Sequence, residues 1–230
     1  MGETVGTLAL VGGDEWADGC EFDGELLERS RARHVLVLPT AAAYEHPERR
    51  VMAAAEWFAR WGGEVEGLMV LGRADAEDAA AAEVVRRARF VYLSGGSPLH
   101  LRSVLKGSAV FEALRQAYRD GAVVAGSSAG AMVLTDPMVD PRGGALTVGL
   151  GLVERLAVVP HFGDRAEDLH GEKLHRSVAL APAGLPVVGI PERTALIRQD
   201  GRWRQAGRGE VAVFVDGAPA QAGLAALGSR

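Results

Sequence analysis

The stretch VVAGSSAGAMVL, Val123 to Leu134, decides how this chain is read. It starts as an aliphatic strand, turns through two serines set between glycines, and continues into a helix-forming run (129–135). Gly126-Ser127-Ser128-Ala129-Gly130 matches G-x-S-x-G, the nucleophile-elbow pattern. In that pattern a serine is forced onto a sharp strand-to-helix turn, and small neighbours let the backbone approach itself. Ser128 holds the central position and Ser127 does not. The helix behind it would aim unpaired N–H groups and a positive dipole end at a developing oxyanion. A packing reading stands beside this one, because small residues also let a strand lie close to a helix.

Outward from the turn, aliphatic runs alternate with helical patterns. Strands are expected over 7–13, 34–41, 64–71, 90–96 and 122–126, and helices over 47–63, 76–88 and 110–121. Strands separated by helices imply parallel pairing through right-handed crossovers. Short, near-continuous aliphatic strands suit a sheet covered on both faces. After about Leu146 the pattern changes to a strand (156–162), a helix (171–183) and strands joined by turns (185–217). Asp200-Gly201 is a hairpin signal. The fold class expected is α/β, with a mostly parallel central sheet, helices on both faces and a C-terminal antiparallel extension of the same sheet. With no linker, repeat or low-complexity segment, one domain over 1–230 is expected. The small-residue tail APAQAGLAALGSR is expected to be loosely held.

The totals restrict function. The 230 residues are 48% hydrophobic and 24% charged, ordinary for a globular protein. A formal net charge of −5 argues against a nucleic-acid partner, which would need a basic face. Cys20 is the only cysteine, which excludes an intrachain disulfide and a cysteine-based zinc site. No apolar run approaches membrane-spanning length, so no membrane association is expected. The N-terminus lacks a basic stretch followed by a long apolar core, which makes the cytoplasm the expected compartment. No metal or cofactor is expected.

A nucleophilic serine needs a base, an orienting carboxylate and oxyanion donors. Of six histidines, His161 alone stands just past a buried strand (VVPHFGD), the end at which α/β sheets build sites. It could equally be a strand-end histidine bonded to backbone. Glu192 follows another apolar strand (186–190), while Asp136 and Asp140 follow the elbow helix and compete for the carboxylate role. Gly95 and Gly96 offer backbone N–H groups at a strand end, and Ala129 follows the serine.

Together with ALVGGDE, VLVLPTAA, VYLSGGSPLHL, GLGLVERLAVVPHF, VGIPERTALI and a final DGRW…EVAVF, these pieces resemble the S51 serine peptidases, aspartyl dipeptidase (peptidase E) and cyanophycinase. The resemblance covers most of the chain. It implies a flavodoxin-like layered fold related to class I glutamine amidotransferases, which carry cysteine at the elbow where this chain has Ser128. It implies a triad of Ser128, His161 and Glu192, and so favours Glu192 over Asp140. It also implies oxyanion-hole N–H groups from Gly96 and Ala129, and substrate contacts from Gly95, Ser97 and Arg165. Cyanophycinases typically read Asp-Gln-His-Phe followed by several arginines. Here Val159-Pro160-His161-Phe162 looks more like the dipeptidase branch. Only Arg165 matches the arginine cluster, with Glu167 and His170 at its other places, and Pro98 stands where a cyanophycinase has glutamine. In the dipeptidase an arginine after the histidine recognises an N-terminal aspartate; Arg165, Lys173 and Arg176 are the candidates. The expected activity is hydrolysis of a short peptide or isopeptide bond next to an acidic residue. Release of dipeptides from an Asp-Arg polymer and non-catalytic binding of a small ligand or partner are the alternatives. The expected partner is a small peptide substrate, and the family suggests a homodimer.

Overall fold

The computed structural model describes residues 5–142, 144–163 and 169–228, with the backbone alone for 169–173. The first half runs β1 (Leu8–Val11), α1 (Phe22–Ser30), β2 (His34–Leu38), α2 (Pro47–Phe58), β3 (Glu64–Gly67), α3 (Arg73–Ala76), α4 (Ala79–Arg87), β4 (Phe90–Leu93), α5 (Pro98–Leu105), α6 (Ala109–Arg119), β5 (Val123–Ser127) and α7 (Ala129–Leu134). Four two-residue strands follow: β6 (Thr135–Asp136), β7 (Met138–Val139), β8 (Leu146–Thr147) and β9 (Val153–Glu154). The chain then makes β10 (Ala157–Pro160), α8 (Leu169–Leu180), β11 (Val187–Ile190), β12 (Thr194–Gln199), β13 (Arg202–Gly207), β14 (Ala212–Val215) and β15 (Ala218–Pro219).

Seven strands form the main sheet in the order β13-β12-β1-β5-β4-β2-β3. The five strands from β1 to β3 in that order pair in parallel. Without β1, the order β3-β2-β4-β5 is that of the first four strands of a flavodoxin-like sheet. β1 takes the fifth place although it comes first in the chain. Successive residues along each strand face opposite sides. Leu8, Leu10, Leu36, Leu38, Val91, Leu93 and Val124 pack on one side with residues of α4, α5, α6 and α7. Ala9, Val11, Val35, Val37, Phe90, Tyr92, Val123 and Ala125 pack on the other with α1 and α2. The helices on both faces that the aliphatic strands imply are therefore present.

The C-terminal third departs from expectation. Only β12 and β13, the hairpin turning at Asp200-Gly201, extend the main sheet antiparallel. The rest forms a second sheet, β10-β11-β14-β15, whose first pair is parallel. The cause is α8: a strand, helix and strand make a crossover unit that pairs β10 with β11. Pro191, without an N–H, ends β11, and Arg193 on left-handed backbone (φ 54°) turns the chain into the main sheet. Glu192 sits on that corner. Nor is the tail loose through residue 228: Leu224, Ala226 and Leu227 pack against the larger core. The third strand also stops at Gly67 rather than Leu71.

Candidate active site

Ser128 follows the last residue of β5 and precedes α7. Its backbone, φ 48° and ψ −105°, lies outside the regions that L-residues prefer. A turn this tight needs close backbone approach. A Cβ at Gly130 would lie 2.5 Å from the Leu93 carbonyl oxygen, so neither α7 nor β4 could keep its place. The expected elbow is present, with Ser128 at its apex and the Ser127 side chain fully buried.

Three consecutive residues at the end of β1 anchor the site. Val11 O accepts from Ser128 N–H at 2.9 Å, Gly12 O from His161 N–H at 2.8 Å, and Gly13 O from Arg193 N–H at 2.8 Å. One backbone segment thus fixes the strand ends that carry the serine, the histidine and the glutamate. The side chains converge accordingly. Ser128 Oγ lies 2.8 Å from His161 Nε2, and His161 Nδ1 lies 2.8 Å from Glu192 Oε1. With hydrogen on Nδ1, the imidazole donates to Glu192 and its Nε2 accepts from the serine hydroxyl. The competing carboxylates are engaged elsewhere. Asp140 pairs with Arg142 at 2.7 Å, which holds the Asp140 carboxyl below the usual carboxylate range, and Asp136 accepts from Gly149 N–H at 2.8 Å.

The other expected residues are placed as follows. Ala129 opens α7, and its N–H points with the unpaired end of that helix. Gly96 lies in the turn between β4 and α5 at φ 142°. Ser97 N–H donates to Ala41 O at 2.7 Å, and its hydroxyl caps α5 by accepting from His100 N–H at 3.3 Å. Gly95 N–H donates to Glu15 Oε1 at 2.9 Å, while Glu15 Oε2 accepts from Ser127 Oγ at 2.7 Å. Glu15 therefore joins the glycine turn after β4 to the residue before Ser128. Sequence reasoning gave it no role, although it ends the quoted block ALVGGDE. Arg165, Glu167 and the side chains of His170 and Lys173 lie outside the described residues, and Arg176 is exposed on α8. Cys20 is buried; burial first, and then the nearby Asp23 carboxyl, push its thiol up to about 12, so it stays protonated at neutral pH. Among the described residues no group of three or more His, Cys, Asp or Glu is placed to hold a metal ion, and no helix is long and apolar enough to cross a membrane.

A serine on an elbow, a histidine within hydrogen-bond reach and a carboxylate on its far nitrogen make the constellation of a serine hydrolase. The chain belongs to peptidase family S51, whose model matches residues 12–206. A cyanophycinase of Trichormus variabilis is 33% identical over 218 residues, covering 90% of this chain and 72% of the relative. A cyanophycinase of Synechococcus elongatus is 32% identical over 161 residues, 65% of this chain and 49% of the relative, so the chain spans about half the length of that protein. Among solved structures, a peptidase from an acI-B1 Actinobacterium superposes with a TM-score of 0.83 at 28% identity, covering 96% of this chain and 95% of the other. A putative peptidase E protein from Listeria monocytogenes shares the fold, with a TM-score of 0.68 at 17% identity over 89% of this chain and 100% of the other.

Proposed function

We propose that this chain is a serine peptidase that hydrolyses a short peptide or isopeptide bond. Ser128 Oγ attacks the carbonyl carbon while His161 Nε2 takes its proton. The same nitrogen then protonates the departing amine, and next takes a proton from the water that splits the acyl-enzyme, releasing the acid and restoring Ser128. Glu192 holds the imidazole with hydrogen on Nδ1 and favours the imidazolium that forms. The N–H groups of Ala129 and Gly96 receive the oxyanion, an arrangement that works because the donors are oriented before reaction. The observation that carries this reading is the unbroken Ser128–His161–Glu192 chain of 2.8 Å contacts on adjoining strand ends in an S51 chain. Replacing Ser128 by alanine is expected to lower kcat by roughly 10⁴–10⁶. A Ser128→Ala protein that hydrolyses peptides at the wild-type rate would rule the mechanism out.

The identity to cyanophycinases over 90% of this chain favours a second reading, release of dipeptides from an Asp-Arg polymer. Incubation with that polymer, followed by mass spectrometry for the dipeptide, separates the two. Product release at the rate of the best small peptide would select the polymer reading.

A further inference from the structure

Beside Ser128 opens a cavity of about 170 Å³, lined among the described residues by Pro98, Ala129, Met132, Val139, Pro141 and Val159, with Pro160 and His161. Its floor is core. Met132, Val139 and Val159 are 6%, 2% and 4% exposed and belong to the apolar cluster between α7 and the second sheet. An apolar cavity of about 150 Å³ admits a group the size of benzene. Among the described residues His161 is the only one of the lining that can carry charge, and its two ring nitrogens face Ser128 and Glu192. The charged residues flanking Pro141 cancel each other. Arg142 Nε and Nη2 lie 3.0 and 2.7 Å from the two carboxylate oxygens of Asp140. Among the described residues, therefore, no cation of the lining is available to a buried carboxylate, and an unpaired charge buried in apolar surroundings is strongly disfavoured.

We infer that this pocket selects an aliphatic side chain next to the scissile bond, such as leucine or methionine. The inference rests on Ser128 being the nucleophile. The wall suits the task. Met132 is unbranched and adaptable, and Val139, Val159 and Pro141 offer only carbon to the occupant. One methylene more or fewer in an apolar pocket discriminates by roughly 10–200-fold.

The test is a matrix of small peptides in which each residue flanking the cleaved bond is in turn Gly, Leu, Met, Phe, Asp or Arg. It is read as kcat/KM with the full chain, alongside fluorophosphonate labelling of Ser128. At one flanking position Leu or Met is expected to exceed both Asp and Gly at least tenfold. Pro98→Phe, which narrows the mouth from a half-buried position, should bring the Leu-to-Gly ratio towards one. Met132→Ala should raise the Phe-to-Leu ratio, and thermal melts establish that both variants fold. Asp equal to or better than Leu at both positions overturns the inference and leaves the peptidase reading intact. Unchanged ratios in both folded variants overturn it as well, as does labelling of Ser128 without cleavage of any peptide. Absence of both labelling and cleavage removes the peptidase reading on which it rests.

Discussion

Five residues without the freedom of glycine sit on left-handed backbone around this site: Asp14, Trp16, Ser128, His161 and Arg193. Such conformations cost of order 1–3 kcal/mol each and persist where the surroundings over-determine them. For Ser128, His161 and Arg193 the surroundings include the carbonyls of Val11, Gly12 and Gly13. Gly13 has a second duty. A Cβ there would lie 2.3 Å from His161 Cε1 and 2.7 Å from Nδ1, and its φ of 133° is open only to glycine. The imidazole lies directly on the Gly13 backbone, so the glycine sets the height of the ring above the sheet. Gly13→Ala is expected to push the ring away from Ser128 and reduce kcat on the order of 10²-fold, since a shift of about 1 Å costs that much. The rate of fluorophosphonate labelling at Ser128 should fall in parallel. Normal labelling in a folded Gly13→Ala protein would show that the ring tolerates the methyl group.

Elements meet here through side chains as well as backbone, and Glu15 is the clearest case. Its two oxygens tie the loop after β1 to the turn after β4 and to the end of β5. Hydrogen bonds to a charged group contribute about 1.5–3 kcal/mol each. Glu15→Ala is therefore expected to destabilise the fold by about 2–4 kcal/mol, less than the sum because the freed groups find water. It should also lower kcat by loosening Gly96 against Ser128. Glutamine can accept from Gly95 N–H and donate to Ser127 Oγ, so Glu15→Gln should restore most of both. Urea unfolding and steady-state kinetics on the two variants check this, and a glutamine variant as impaired as alanine would mean that the charge itself is needed. That tie was not legible in the chain, because it joins residues 80 and 112 positions apart. What was legible is local. The elbow at 126–130, the alternation of β2, β4 and β5 with helices, and the strand-end positions of His161 and Glu192 all follow from aliphatic runs ending in glycine, proline or small polar residues. α1 was missed because FDGELLERS sets an interior glycine and a buried aspartate among its few apolar residues, Phe22, Leu26 and Leu27. The second sheet was missed for a different reason. Strand runs declare their own ends, but not which sheet receives them, and β11 and β12 part company over three residues.

Across the molecule, the two faces of the main sheet are unlike. The site-bearing face packs aliphatic side chains, whereas the face under α1 and α2 is aromatic and encloses a carboxyl group. Asp23 is fully buried there. Its Oδ2 accepts from Trp57 Nε1–H at 3.0 Å, and its Oδ1 has no partner among the described residues. Burial, opposed by the Trp57 bond and aided by the charges of Glu15 and Glu21, holds the Asp23 carboxyl well above its ordinary range. The other titratable groups around it, Cys20 and Tyr92, are also acids raised by burial, so the protonated form of Asp23 meets no competing cation. In the unfolded chain the same carboxyl titrates near 3.9. Between that value and its raised folded pKa, the native state binds more protons than the unfolded state. Stability from this group therefore declines as pH rises from about 4, by up to about 1.4 kcal/mol per pH unit, until the folded pKa is passed. Asp23→Asn carries no such proton and can still accept from Trp57. Urea midpoints measured from pH 4 to pH 9 should fall with pH more steeply in the wild type than in the variant, and the variant should be the more stable protein at the alkaline end. Two curves that stay parallel over the whole range would mean that Asp23 ionises in the folded protein as it does in the unfolded chain, and would overturn the assignment.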